Sequence, residues 1–219
     1  MSGADVGLAA LPAEARIGFI RTRLDAERSP AQAWRRSFTF AYGTLTVGQL
    51  AALPSTHGFA DRATLRLGAT ASSLGVLALY ALPLTVIQDA PRVSSFAAGA
   101  DGRCAVLTEA EAALLRGAAS ETRGSGVKAH LGNLVVNAAL SLAMGLGYHR
   151  WGSAAIQFGV GEIVGETQIL TQPTGLISDL ARYRAADLPA SSARARRPAW
   201  SVAPLAARDG TGVTLWLEF

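Results

Sequence analysis

Four uncharged apolar stretches alternate with polar, arginine-rich tracts along this chain, and the alternation predicts four helices of membrane-spanning length. No charge occurs in residues 37–60; Trp34, Arg35 and Arg36 precede this stretch and Pro54 closes its helical part, which places a first span at residues 37–53. A second uncharged run, preceded by Arg62 and Arg66, gives a span at residues 67–88. The third and fourth spans are placed at residues 131–148 and 152–171, the latter ended by Pro173. The link between them around His149 and Arg150 is too short for a domain, so these two spans form an antiparallel hairpin.

The segments around the spans have their own patterns. Ile17, Ile20 and Leu24 recur at helical spacing among Arg16, Arg21, Arg23 and Arg28, which reads as a basic amphipathic helix over residues 13–28. Such a helix fits an anionic membrane surface or a face of the protein itself, and the pattern leaves both open. In the connector 90–128, Thr108 and Glu111 make a capping box expected to open a short helix reaching about Glu121, with Gly124 and Gly126 as a hinge. Residues 179–197 read as a basic linker. Beyond it Asp209 and Gly210 separate two apolar runs, and Val213, Leu215 and Leu217 alternate with Thr214, Trp216 and Glu218, predicting a hairpin that ends at Phe219. The expected organisation is an amphipathic segment 1–36, a four-span domain 37–178, and a linker with hairpin 179–219.

Composition agrees with a membrane class. Half of the 219 residues are hydrophobic and 16% are charged, against about 25% in an ordinary soluble domain. A net charge of +4 would suit nucleic acid, but the arginines flank apolar runs instead of lining one polar face, so no nucleic-acid partner is expected. Six basic residues precede span one, five lie between spans two and three, and six follow span four, against two and one in the intervening turns. By the positive-inside rule both termini are cytoplasmic. The first twelve residues lack the basic start and apolar length of a secretory signal. Cys104 stands alone, which excludes an intramolecular disulfide and a thiolate metal site.

Candidate chemistry lies within the spans. His130, Asn133, Asn137 and Ser141 share one helical face, and Glu162 and Glu166 stand one turn apart with Gly161 and Gly165 beside them. Tyr42, Thr46 and Gln49 form a similar polar row on span one. Two carboxylates one turn apart repel when both are ionised, which favours a held proton, and with His130 they could relay protons or bind a cation. The plainer reading is that Asn, His, Ser and Glu hydrogen-bond the helices together. A metal site is not expected: no Glu is followed by His at the spacing of di-metal bundles, and the sequence does not show His130, Glu162 and Glu166 converging. No nucleophile elbow occurs near Ser72 and Ser73, the glycines around Val160 do not open a dinucleotide-binding unit, and no cofactor is expected. His57 and His149 fall at turns and read as solvated.

The run from His130 through Asn133 and Asn137, and then the stretch from Val164 to Thr174 containing Glu166, Gln168 and Pro173, resembles small uncharacterised bacterial multi-span membrane proteins. The resemblance covers mainly residues 130–174 and implies a bacterial cell membrane without supplying an activity, substrate or cofactor. The expected fold is an all-α, four-helix transmembrane bundle with an amphipathic amino-terminal helix and a small carboxyl-terminal β-hairpin. Its expected partners are the lipid bilayer and a second copy or another membrane protein. Its expected role is structural or interaction-mediating, with no enzymatic activity favoured. The alternatives are a transporter-like or enzymatic protein using His130, Asn133, Asn137, Ser141, Glu162, Glu166 and Gln49, and an outer-membrane protein whose signal peptide was removed. The last is disfavoured because one hairpin cannot close a barrel.

Overall fold

The computed structural model describes residues 7–96 and 102–188, together with the backbone of residues 199–207 and 210–218. The described part of the first unit, Met1–Leu188, is helical. Its helices are α1 (Ala13–Ala52), α2 (Phe59–Ala81), α3 (Val86–Ser95), α4 (Arg103–Ser125), α5 (Val127–Tyr148), α6 (Trp151–Leu170) and α7 (Gly175–Arg184). In the second unit, Pro189–Phe219, strands β1 (Ala199–Ala207) and β2 (Gly210–Glu218) pair antiparallel, with Ala199 opposite Glu218 and Ala207 opposite Gly210. The expected turn residue Asp209, the terminal Phe219 and the linker 189–198 lie outside the described residues, as do the side chains of both strands.

Two packing regimes divide the helical unit. The first half of α1 packs with α3, α4 and α7 around a cluster that includes Ile20, Leu24, Val86, Val93, Leu114 and Leu176. Helical spacing produces it: on α1 Ile20, Leu24, Glu27 and Ala31 recur every three or four residues, and on α4 Val106, Ala110, Ala113, Leu114 and Ala118 do the same. Gly117 lets Leu176 of α7 sit directly on the α4 backbone, where a Cβ would collide with it. Bidentate pairing of Arg116 with Asp89, at 2.8 and 3.2 Å, ties α4 to α3 and raises the guanidinium pKa. We call this half the cap.

The second half of α1 packs on α2, and α5 packs on α6, with α2 joining the two pairs. Here side chains fit over glycines: Gln49 over Gly68, Tyr42 over Gly75, and Trp151 over Gly145. Much of the surface is apolar, with Phe40, Val47, Leu77, Val135, Leu146, Ile156 and Ile163 exposed. Two stretches are long and apolar enough to cross a membrane, Phe59–Ser95 and Val127–Tyr148, and only 28% and 17% of their apolar windows are buried inside the molecule. The second half of α1 and all of α6 are not among them, so the four-span reading is narrowed here to two candidates.

Several expected boundaries are corrected. The amphipathic segment and the first span are one helix, α1, running through Pro30 across the boundary expected at residue 36. Ile17, Ile20 and Leu24 are buried in the protein, which decides between the two surfaces open to that amphipathic face. The expected span 67–88 is interrupted: α2 ends at Ala81, and α3 starts at Val86. Pro83 is the cause, since its ring pushes Leu82 out of helical geometry, to φ −122° and ψ 60°. Thr108 is not an N-cap; it lies inside α4 and donates back to the Cys104 carbonyl at 2.9 Å. Helix α7 begins at Gly175 and is part of the cap, so residues 179–188 do not belong to a linker.

Candidate functional site

Five of the seven candidate residues meet on the seam between α5 and α6. The chain turns from one helix to the other at His149, which takes a left-handed conformation with φ 56°, and Arg150 ion-pairs with Asp61 at the start of α2. This tight reversal sets α5 antiparallel to α6, so that residue numbers rise on one helix as they fall on the other. His130 and Asn133 therefore meet Glu166, and Asn133 and Asn137 meet Glu162.

His130 Nδ1 lies 2.6 Å from Glu166 Oε2. Asn133 Nδ2 donates to Glu166 Oε1 at 3.1 Å and to Glu162 Oε2 at 3.3 Å. Asn137 Nδ2 donates to Glu162 Oε1 and to Asn133 Oδ1, both at 2.9 Å. The close approach depends on Gly161 and Gly165, because a Cβ at either position would overlap Asn137 or Asn133. All four amide hydrogens of the two asparagines are thus committed within the seam. The outer side of the network opens on a groove of about 510 Å³ that His130, Glu162 and Glu166 line together with Val127, Leu131 and Leu134. The side chains of His130 and Glu166 are 36% and 33% exposed there. Among the described residues no group of three or more His, Cys, Asp and Glu side chains is placed to hold a metal ion.

The other two candidates are elsewhere. Ser141 is buried one turn beyond Asn137, and its Oγ has no hydrogen-bond partner. Gln49 lies on the α1–α2 contact over Gly68, with Oε1 buried and unpartnered. Its neighbour in the polar row, Tyr42, instead reaches α6, donating to Gln168 Oε1 at 2.7 Å. Trp34 Nε1 donates to the Gln168 carbonyl at 3.1 Å, so α1 and α6 are joined near the cap.

A second polar cluster was not anticipated as a site. Glu27 of α1, Glu121 of α4 and Asp179 of α7 are 3%, 1% and 5% exposed. Glu121 Oε2 accepts the Ile177 N–H at 3.1 Å in the first turn of α7, and its Oε1 is buried without a hydrogen-bond partner. The Glu27 carboxylate occupies the space beside Gly175 that a Cβ would need, and Asp179 faces Arg23 at 3.7 Å. Burial pushes the Glu121 carboxyl up to about 8; the Ile177 N–H opposes that shift, and the charges of Glu27 and Asp179 reinforce it. A sequence signal existed, since Glu27 stands in the apolar row Ile20, Leu24, Ala31, and Glu121 follows Leu114 and Ala118 on α4. The surrounding residues read only as a basic amphipathic helix and a connector, so neither acid stood out as buried.

No known protein family, curated protein or solved structure matches this chain. Function is therefore argued from the site and the surface of the molecule.

Proposed function

We propose that this chain is a multi-span membrane protein with a structural or interaction-mediating role. In this reading the second half of α1, with α2, α5 and α6, forms a four-span bundle in a bacterial cell membrane. The cap and both termini lie on the cytoplasmic side, as the basic tracts require, and the carboxyl-terminal hairpin is an appended element. The observation that carries it is the partition of the surface: large exposed apolar side chains crowd these four segments, whereas the cap has a closed apolar core. The His130–Asn133–Asn137–Glu162–Glu166 network then acts as a lock between α5 and α6, because its amide donors are all consumed by direct side-chain pairing. Flotation with lipid vesicles and a requirement for detergent test the placement. A monodisperse monomer in plain buffer would reject it.

A transporter-like reading is favoured by a single feature, the open groove beside His130, Glu162 and Glu166. Replacing both glutamates by Gln separates the two. A lock is weakened, because each Gln keeps one of the two acceptor oxygens that the α5 donors use, and it has no pH-dependent flux to lose. A proton or cation path loses its pH-dependent flux in reconstituted vesicles.

A further inference from the structure

One side of the helical unit carries an acid pair in an open groove, and another side carries an exposed base at the same level. Trp34 Nε1 donates to the Gln168 carbonyl at 3.1 Å, which sets α1 and α6 level at that point. Helix α1 leaves the cap there and α6 returns to it, so Arg36 and Glu166 each lie two residues, about 3 Å, farther from the cap. Phe40 and Glu162 lie one further turn along, as does Leu134 beyond His130 on α5. Arg36 and Phe40 are therefore level with the acids and with the apolar residues that line the α5–α6 groove.

The two surfaces point away from each other. Gln168, which receives Trp34 and Tyr42 of α1, is two residues from Glu166, about 200° around α6, so the groove opens on the side away from α1. On α1, Arg36, Phe40 and Gly43 recur at helical spacing on the face opposite Trp34 and Tyr42. A Cβ at Gly43 would meet nothing within 4 Å, and Phe40 and Val47 flank the hollow there, of about 530 Å³. Arg36 is exposed and makes no ion pair among the described residues, whereas its neighbour Arg35 lies 5.6 Å over the Tyr80 ring. The groove of its own chain is out of reach of Arg36, on the far side of α6.

We propose that the chain associates with further copies of itself, Arg36 and Phe40 of one copy seating in the α5–α6 groove of the next. The inference rests on the proposed membrane placement, which gives neighbouring copies one orientation and so keeps the levels matched. With two acids to one histidine the groove is the acidic partner, and Arg36 is the basic one. A guanidinium is charged at every accessible pH and carries five N–H donors. Each carboxyl oxygen of Glu162 and Glu166 has one partner on α5, and a carboxyl group retains acceptor capacity in either protonation state. The donor–acceptor match thus holds wherever the protons of Glu162, Glu166 and His130 reside. Phe40, 62% exposed, covers Leu131 and Leu134, 53% and 43% exposed, in the same contact. Because the two surfaces differ, the contact is heterologous: it closes as a ring or extends as a row within the membrane.

Ala138 continues the stripe of Leu131 and Leu134 and is within about one residue of the level of Gly43, so the pair reports the contact without altering Arg36 or Phe40. Two differently tagged full chains in a Cys104→Ser background, one with Gly43→Cys and the other with Ala138→Cys, are coexpressed at low level. Disulfide formation under mild oxidant is followed in isolated cell membranes. The mixed pair cross-links, and neither chain cross-links to itself. Arg36→Gln in the Gly43→Cys chain slows the reaction about tenfold or more, and Arg35→Gln leaves it unchanged. Arg36 is exposed and holds no other element in place, so its replacement leaves the fold intact. A mixed pair that cross-links no faster than the single chains, or that is indifferent to Arg36→Gln, overturns the proposal. An equal loss from Arg35→Gln traces the effect to interfacial charge and overturns it as well. A chain that fails to float with membranes overturns this proposal and the membrane placement together, whereas one that floats without the mixed cross-link overturns this proposal alone.

Discussion

Glu121 carries an acid into the core of the cap, and its ionisation sets a sign for stability against pH. Burial disfavours its charge and pushes the carboxyl pKa up to about 8 in the fold, from 4.5 in the unfolded chain. Between those values the native state holds a proton that the unfolded chain has released. Stability therefore falls as pH rises from 4.5 to about 8 and levels off above that range. Glu121→Gln keeps an acceptor for the Ile177 N–H and removes the titration. We expect this variant to lose most of the pH slope and to exceed wild type above pH 8 by about 1–3 kcal/mol, an order-of-magnitude figure for a buried charge beside two other acids. Amide exchange in α4 and α7 at pH 6 and pH 8.5 measures it. A variant less stable than wild type at both pH values shows that an ionised Glu121 is what α7 requires.

At the scale of elements, the α5–α6 seam depends on backbone approach as much as on its polar side chains. Gly165→Val forces Asn133 out of its place, and we expect a loss of about 1–3 kcal/mol. Gly159→Ala meets nothing within 4 Å and should be neutral or gain slightly from helix propensity. Thermal melts of the two variants in detergent distinguish a seam held by close packing from one in which any small residue serves. This seam was legible in the sequence because His130, Asn133 and Asn137 repeat at helical spacing, as do Glu162 and Glu166, and a tight turn leaves their helices one way to meet. Gln49 shares the same polarity and spacing, yet α1 turns it onto α2, since spacing on one helix does not say which neighbour it faces. The break at Leu82 was obscured by the apolar residues on both sides of Pro83, which kept the uncharged run intact. Thr108 and Glu111 matched a helix start, but Arg103 to Leu107 were already helical, and nothing local marked the difference.

On the scale of the whole molecule, the placement of the cap and the α1–α2 turn on opposite faces of a membrane is open to direct chemistry. In a Cys104→Ser background, cysteines introduced singly at Ser95 and Ser55 should react with an impermeant maleimide from opposite sides of intact cells, Ser55 from outside. Labelling of both from one side refutes the topology. The cap also joins the two ends of the helical unit: Ile20 and Leu24 of α1 are buried in one cluster with Leu176 of α7. In the proposed placement, all the bilayer-spanning segments are synthesised between those residues. At about 5–20 residues per second, roughly 8–30 s separate the emergence of Leu24 from that of Leu176. During that interval α3 and α4 can already cover part of the apolar face of α1, while the side of the cluster that α7 closes stays open. Closure of the cap by α7 thus reports completion of the helical unit. In the proposed placement, a ribosome that stops before Gly175 releases a protein with its bilayer helices made and the α7 side of the cap cluster, including Leu114 and Gly117, uncovered, a state that quality-control proteases recognise by its exposed apolar surface.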